Sequence, residues 1–165
     1  MFKIDSLILS SAQKQSLIAL TGLKDKFFSL LWRGSKHGFE DSTFHRLCDD
    51  KGKTLLVIKD AENCIFGGFT SVPWSTEGFY KSDSTAFLFT LTNPSGTPMK
   101  LKVNEPENAV LHSSLGPTFG CGYDLFVSCL SNTNRRSCML LRSYDNELPN
   151  GKRDVGRFII GAEYY

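Results

Sequence analysis

The chain has 165 residues, 41 % hydrophobic and 22 % charged, and its nineteen basic and seventeen acidic residues leave a formal charge of +2. This size and balance suit one globular domain. The basic residues are scattered, apart from Arg135-Arg136 and Lys152-Arg153, which speaks against nucleic-acid binding, a role that needs a concentrated basic face.

No apolar stretch approaches the roughly 20 residues that span a bilayer, and no signal-peptide pattern opens the chain. Cys48, Cys64, Cys121, Cys129 and Cys138 are odd in number and irregular in spacing. That pattern reads as reduced thiols of a cytoplasmic protein, not as a disulfide framework. Thirteen phenylalanines and fourteen glycines point to a β-rich architecture, since bulky aromatics fill the space between sheets and glycines allow close approach.

Residues 7–9 are a short apolar entry that suits a strand. Ser10-Ser11-Ala12-Gln13 has the form of a capping box, with Ser10 as N-cap. The helix it opens runs to about Leu20, carries Leu17 and Leu20 on one face and stops at Gly22. Residues 25–33 make a second helical stretch, with Phe27, Leu30 and Leu31 on one side, that ends at Gly34. A third follows Asp41, with Phe44, Leu47 and Cys48 at helical spacing.

From Lys53 the period changes. Residues 53–59 are apolar on both faces, as in a strand covered on both sides. Asp60-Ala61-Glu62-Asn63 is a turn, and residues 64–70 return as the second strand of a hairpin, where Gly67-Gly68 marks a bulge or a close backbone approach. Residues 86–91 are a third strand with Phe87, Phe89 and Leu91 on one face. After the turn at 93–98, Met99, Leu101 and Val103 alternate with Lys100 and Lys102. Residues 104–122 are loop-rich, with a short strand near 109–111. Strands are expected over 123–130, 137–141 and 157–164. The chain thus reads as one domain over 1–165, helical in 10–50 and sheet-forming in 51–165. Its fold class is α+β, a mainly antiparallel β-sandwich of two sheets with short helices packed around it, and not a βαβ arrangement.

His37, His45 and His112 show no metal-ligand spacing, so no metal is expected. Cys121 lies between Gly120 and Gly122, but nothing local supplies the cation, helix N-terminus or histidine that activates a thiol. Gly116-x-x-x-Gly120-x-Gly122 lacks the lysine of a P-loop and precedes a strand, not a helix, so it reads as a strand connection. The carboxylates Asp41, Asp49, Asp50, Glu77, Asp83 and Asp124 sit in loops or at strand starts, and no catalytic residue and no cofactor is assigned. Trp74, on a loop between strands, is the candidate partner contact, because loop tryptophans are frequent hot spots. The alternative is a tryptophan folded back over the sheet edge.

Several segments, in order, resemble the TLDc domain of the oxidation-resistance proteins: Trp32-Arg33-Gly34-Ser35-Lys36-His37-Gly38-Phe39, Phe44-His45-Arg46-Leu47-Cys48-Asp49, and Leu55-Leu56-Val57-Ile58-Lys59-Asp60. Ile65-Phe66-Gly67-Gly68-Phe69-Thr70-Ser71, Phe79-Tyr80-Lys81-Ser82-Asp83, Ala86-Phe87-Leu88-Phe89-Thr90-Leu91 and the glycines from Gly116 to Gly122 before Tyr123-Asp124-Leu125 continue the likeness. The resemblance implies two facing antiparallel sheets, a non-catalytic role, binding to the peripheral part of the vacuolar-type proton pump (V-ATPase) and support of oxidative-stress resistance. It carries over no catalytic residues.

Family members end on an acidic-apolar strand where this chain stops at Tyr164-Tyr165, so the expectation is either that a final strand is missing from this sequence or that the fold is closed another way. A missing strand would leave an open sheet edge prone to self-association. Residues 132–155 are also more polar than the family pattern. Two other functions stand beside the binding module: a thiol-based antioxidant enzyme using Cys121 or Cys48, and a self-associating scaffold domain.

Overall fold

The computed structural model describes residues 3–23 and 27–146. Strand β1 (Lys3–Ile4) comes first. It takes the place of the strand expected over 7–9, because Ser6 Oγ accepts the N–H groups of Ile8 and Leu9 at 3.1 and 3.2 Å and turns the chain there. The capping box forms as read. Ser10 Oγ accepts from the Gln13 N–H at 3.2 Å, and Gln13 Oε1 accepts from the Ser10 N–H at 2.9 Å. The helix they open, α1 (Ser11–Thr21), stops at Gly22 in the left-handed conformation, which glycine adopts without steric cost.

The helix expected over 25–33 does not form. Strand β2 (Phe27–Phe28) pairs in parallel with β1, and the chain stays outside helix until α2 (Gly34–His37), so Gly34 begins a helical turn instead of ending one. The apolar side chains of this stretch serve two surfaces and not one helix face. Leu31 and Trp32 pack against the main core, whereas Phe27 is 74 % exposed. Trp32 Nε1 donates to the Gly38 carbonyl at 3.0 Å and fixes the segment in its extended course. Helix α3 (Asp41–Cys48) follows as expected, with Phe44 and Cys48 buried.

Two four-stranded antiparallel sheets make the body of the fold. The first joins β3 (Thr54–Lys59), β4 (Ile65–Thr70), β6 (Phe87–Thr92) and β7 (Met99–Lys102) in the order β3-β4-β6-β7. The second contains β5 (Phe79–Lys81), β8 (Val110–His112), β9 (Thr118–Phe119) and β10 (Leu125–Phe126) in the order β10-β9-β8-β5. Both strands of the expected hairpin form, paired Thr54↔Thr70 through Lys59↔Ile65.

The glycine pair in β4 marks close approach. A Cβ on Gly67 would overlap the Leu56 carbonyl oxygen, and one on Gly68 would come within 2.7 Å of the Phe119 ring of the facing sheet.

Alternation along β6 divides the core. Leu88 joins Phe66, Phe119, Leu125 and Tyr144 between the sheets, whereas Phe87, Phe89 and Leu91 join Leu17 of α1 on the other face. The first sheet is therefore covered on both faces.

The strand expected over 123–130 shortens to β10, because Tyr123 and Leu130 take positive φ values of 68° and 54° that interrupt extended chain. Over 137–141 only Cys138 makes a ladder contact, with Phe126; further on, Tyr144 bridges Val103. This segment ties the β10 edge of one sheet to the β7 edge of the other. The strand expected over 157–164 and the pair Lys152-Arg153 lie outside the described residues. No described helix is long and apolar enough to cross a membrane.

A groove beside an open strand edge as candidate binding site

Strand β3 ends the first sheet, and no described strand pairs with its far side. In antiparallel strands successive residues direct their N–H and C=O groups to opposite neighbours. Because the Leu56 carbonyl faces Gly67 of β4, Leu55, Val57 and Lys59 direct theirs outward.

Along that edge runs a groove of about 840 Å³. Residues 53–62 form one wall and residues 28–35, which run into the start of α2, the other; Phe44, Cys48 and Trp74 contribute the floor, and residues 131–135 reach one end. Leu30, at 38 % exposure, lies on the rim, and Leu7, also lining the groove, is 79 % exposed.

The polar groups in the groove are incompletely matched. Arg33 Nη2 is shielded from solvent yet has no hydrogen-bond partner, and its nearest anion, Asp5 Oδ1, is 3.6 Å away. Asp60 Oδ1 accepts the Cys64 N–H at 2.8 Å, while Asp60 Oδ2 has no partner. Burial holds the Asp60 carboxyl above its ordinary pKa despite its bonds to the turn backbone.

Trp74 is 3 % exposed. It lies folded back, the second of the two arrangements read for it, and forms a floor instead of a protruding contact. Phe44 and Phe119 meet its ring edge-on at 5.5 and 5.4 Å.

The histidines are tied into the fold by hydrogen bonds, and His45 and His112 are buried. His37 Nδ1 accepts the Arg33 N–H at 3.0 Å. His45 lies between Asp49 Oδ1 at 2.8 Å and the Leu115 carbonyl at 2.7 Å and anchors α3 to the loop before β9. His112 Nδ1 meets Ser75 Oγ at 2.8 Å, whereas its Nε2 is buried without a partner. Burial, with Lys81 nearby, lowers the His112 pKa. Among the described residues no three His, Cys, Asp or Glu side chains are grouped to hold a metal.

The carboxylates serve the scaffold. Asp83 accepts from Thr70 Oγ1, from the N–H and hydroxyl of Ser71, and from the N–H and hydroxyl of Thr85, at 2.6–2.9 Å. Burial pushes its pKa up, but these bonds outweigh that and hold it below the usual range. Asp124 is fully buried, and its Oδ1 accepts the N–H groups of Arg142 and Tyr144 at 2.8 Å each. Burial raises the Asp124 pKa to about 6, and Oδ2 has no partner. A Cβ on Gly120 would overlap this carboxylate, so the glycines of the 116–122 loop serve packing. Asp41 packs against Gly116, Glu77 pairs with Lys81 at 2.5 Å, and Asp50 is exposed.

Of the cysteines, Cys48 is buried, and desolvation, with Asp49 beside it, pushes its pKa to about 12. Cys121 is half-buried, and its N–H donates to Ser143 Oγ at 2.9 Å.

The TLDc domain profile matches residues 2–155 of the chain. Among curated proteins, the MTOR-associated protein MEAK7 of Xenopus laevis is 36 % identical over 66 residues, and its Danio rerio and Mus musculus counterparts are 34 % identical over 62 and 65 residues. Each match covers 38 % of this chain and 14 % of the relative's own length, so these relatives are much longer than the shared stretch.

Proposed function

The chain belongs to the TLDc domain family, and from that premise we propose that it is a non-catalytic module whose groove beside β3 recognises a protein partner. The observation that carries this reading is the coincidence of a strand edge left open among the described residues with an apolar cleft of about 840 Å³. Six residues of β3 span roughly 20 Å, enough for a short run of partner chain. The exposed rim residues Leu7 and Leu30 extend the apolar surface beyond the cleft, as interfaces require.

The family resemblance directs the partner reading to the peripheral part of the vacuolar-type proton pump, and with it to support of oxidative-stress resistance. The name of the MEAK7 relatives, which states association with MTOR, supports a shared partner of those proteins as the second reading. The five cysteines, all free, favour a reducing, cytoplasmic setting. We take residues 1–165 as one unit, helical in 10–50 and sheet-forming in 51–165.

A thiol-based enzyme is disfavoured for Cys48, because a thiol with a pKa near 12 is almost wholly protonated at neutral pH and a poor nucleophile. Self-association through the open β3 edge is the remaining alternative.

The test is co-purification with the pump's peripheral sector, together with proton transport, for the native chain, for Leu30→Asp in the groove and for Leu115→Asp outside it. Binding is expected for the native chain and Leu115→Asp and reduced for Leu30→Asp. Equal binding by all three removes the groove from the account, and no binding by any removes the pump.

A further inference from the structure

We propose that the groove's occupant is an extended segment of a partner polypeptide that adds to β3 as a fifth strand and places a carboxylate against Arg33. This rests on the reading of the groove as a protein-binding site and specifies what it takes. Three observations select this chemistry.

Leu55, Val57 and Lys59 turn backbone N–H and C=O groups toward the cleft, and only another backbone satisfies such a row at strand spacing. A lipid tail or flat aromatic metabolite in the same place would leave them unpaired, at a cost for each group. The facing wall offers Leu30, Leu31 and Trp32, which suits apolar side chains projecting from alternate positions of an added strand.

The charges point the same way. Arg33, Lys53, Lys59 and Arg135 line the groove against Asp5, Asp60 and Glu62. The anions do not satisfy the shielded Nη2 of the half-buried Arg33: Asp5 is 3.6 Å away, beyond hydrogen-bond distance, and mostly exposed, while Asp60 holds the β3–β4 turn through Cys64. Arg33 Nη2 is left as an orphaned donor and Asp60 Oδ2 as an orphaned acceptor. An acidic side chain satisfies the first, and a backbone N–H or hydroxyl of the same segment satisfies the second.

The experiment uses the full chain and two short peptides of alternating valine and threonine, one with a central glutamate and one with lysine in its place. Amide hydrogen exchange and fluorescence anisotropy are the readouts. The glutamate peptide is expected to bind and to slow exchange at Val57 and Lys59 by about tenfold or more. Arg33→Gln is expected to weaken it by about tenfold, the loss of one charge-assisted hydrogen bond, and Val57→Pro, which removes one outward N–H, to abolish binding.

Equal binding of the lysine peptide, or no binding of either at millimolar concentration, overturns the proposal. So does protection of Val57 and Lys59 in the peptide-free protein, which identifies another segment of this chain or a second copy as the occupant. If Val57→Pro fails to fold, the exchange data and Arg33→Gln decide alone. Pump binding that Leu30→Asp weakens but Val57→Pro leaves intact overturns strand addition and spares the groove; binding that neither weakens removes the groove itself.

Discussion

Trp74 Nε1 donates a hydrogen bond to Thr54 Oγ1 at 2.9 Å, and so fastens the loop after β4 to the first residue of β3. The same ring lies under the groove, between Phe44 of α3 and Phe119 of the second sheet. The start of β3 is therefore held by a buried side chain as well as by its pairing with Thr70 of β4. Trp74→Phe should lower stability by about 1 kcal/mol through loss of this bond, and Trp74→Ala by about 3–5 kcal/mol through the cavity it leaves. Chemical denaturation of the purified variants measures both. Equal stability of Trp74→Phe and the native chain would show that the bond contributes nothing.

Asp124 makes stability depend on pH in an unusual direction. Its folded pKa of about 6 lies above the 3.8 of the free carboxyl, so the folded chain binds the proton more tightly than the unfolded one. The contribution is fully present below pH 3.8 and is lost as pH rises through about 6, an effect of about 3 kcal/mol. His112 acts oppositely, because its lowered pKa makes acidification destabilising. The difference between the native chain and Asp124→Asn isolates the carboxyl. Denaturant titrations from pH 4 to 8 should find Asp124→Asn gaining on the native chain as pH rises, and a constant difference would refute the assignment.

The glycines of β4 set the separation of the layers. Gly67→Ala would drive a methyl into the Leu56 carbonyl of the paired strand, and Gly68→Ala would drive one into Phe119 across the core. Backbone cannot yield as a ring can, so Gly67→Ala should be the more damaging, at about 3 kcal/mol against about 1–2 kcal/mol for Gly68→Ala. Thermal unfolding gives the ranking directly.

Alkylation of the native protein should separate the thiols. Cys129 is exposed, whereas Cys48 is buried with its pKa pushed to about 12. Iodoacetamide at neutral pH should label Cys129 while Cys48 reacts only after unfolding, as read by peptide mass mapping. Early labelling of Cys48 would reopen the thiol chemistry that its burial argues against.

Much of the fold was legible because its signals are local. Ser10, Gln13 and Gly22 start and stop α1 by their own hydrogen bonds and backbone preferences, and the alternation of Phe87, Phe89 and Leu91 around Leu88 announces which side of β6 meets which core. The errors lie where tertiary contacts decide. Phe27, Leu30 and Leu31 have helical spacing, but pairing with β1 and packing of Leu31 and Trp32 on the core hold that stretch extended. Strands as short as β9 and β10, at two residues each, show no period to read. The groove was not legible either, since its walls come from residues 28–35, 53–62 and 131–135, and no local pattern brings these together. The apolar character of both faces of 53–59 was the one available hint.

The most direct test of the central claim is hydrogen–deuterium exchange of the full chain with and without the purified peripheral sector of the vacuolar-type proton pump. The groove account predicts slowed exchange at residues 53–60 and 28–33, and none at the exposed Phe79 and Tyr80 of β5 or at Tyr123 of the turn before β10. Protection confined to those three aromatics, with residues 53–60 unchanged, would contradict it.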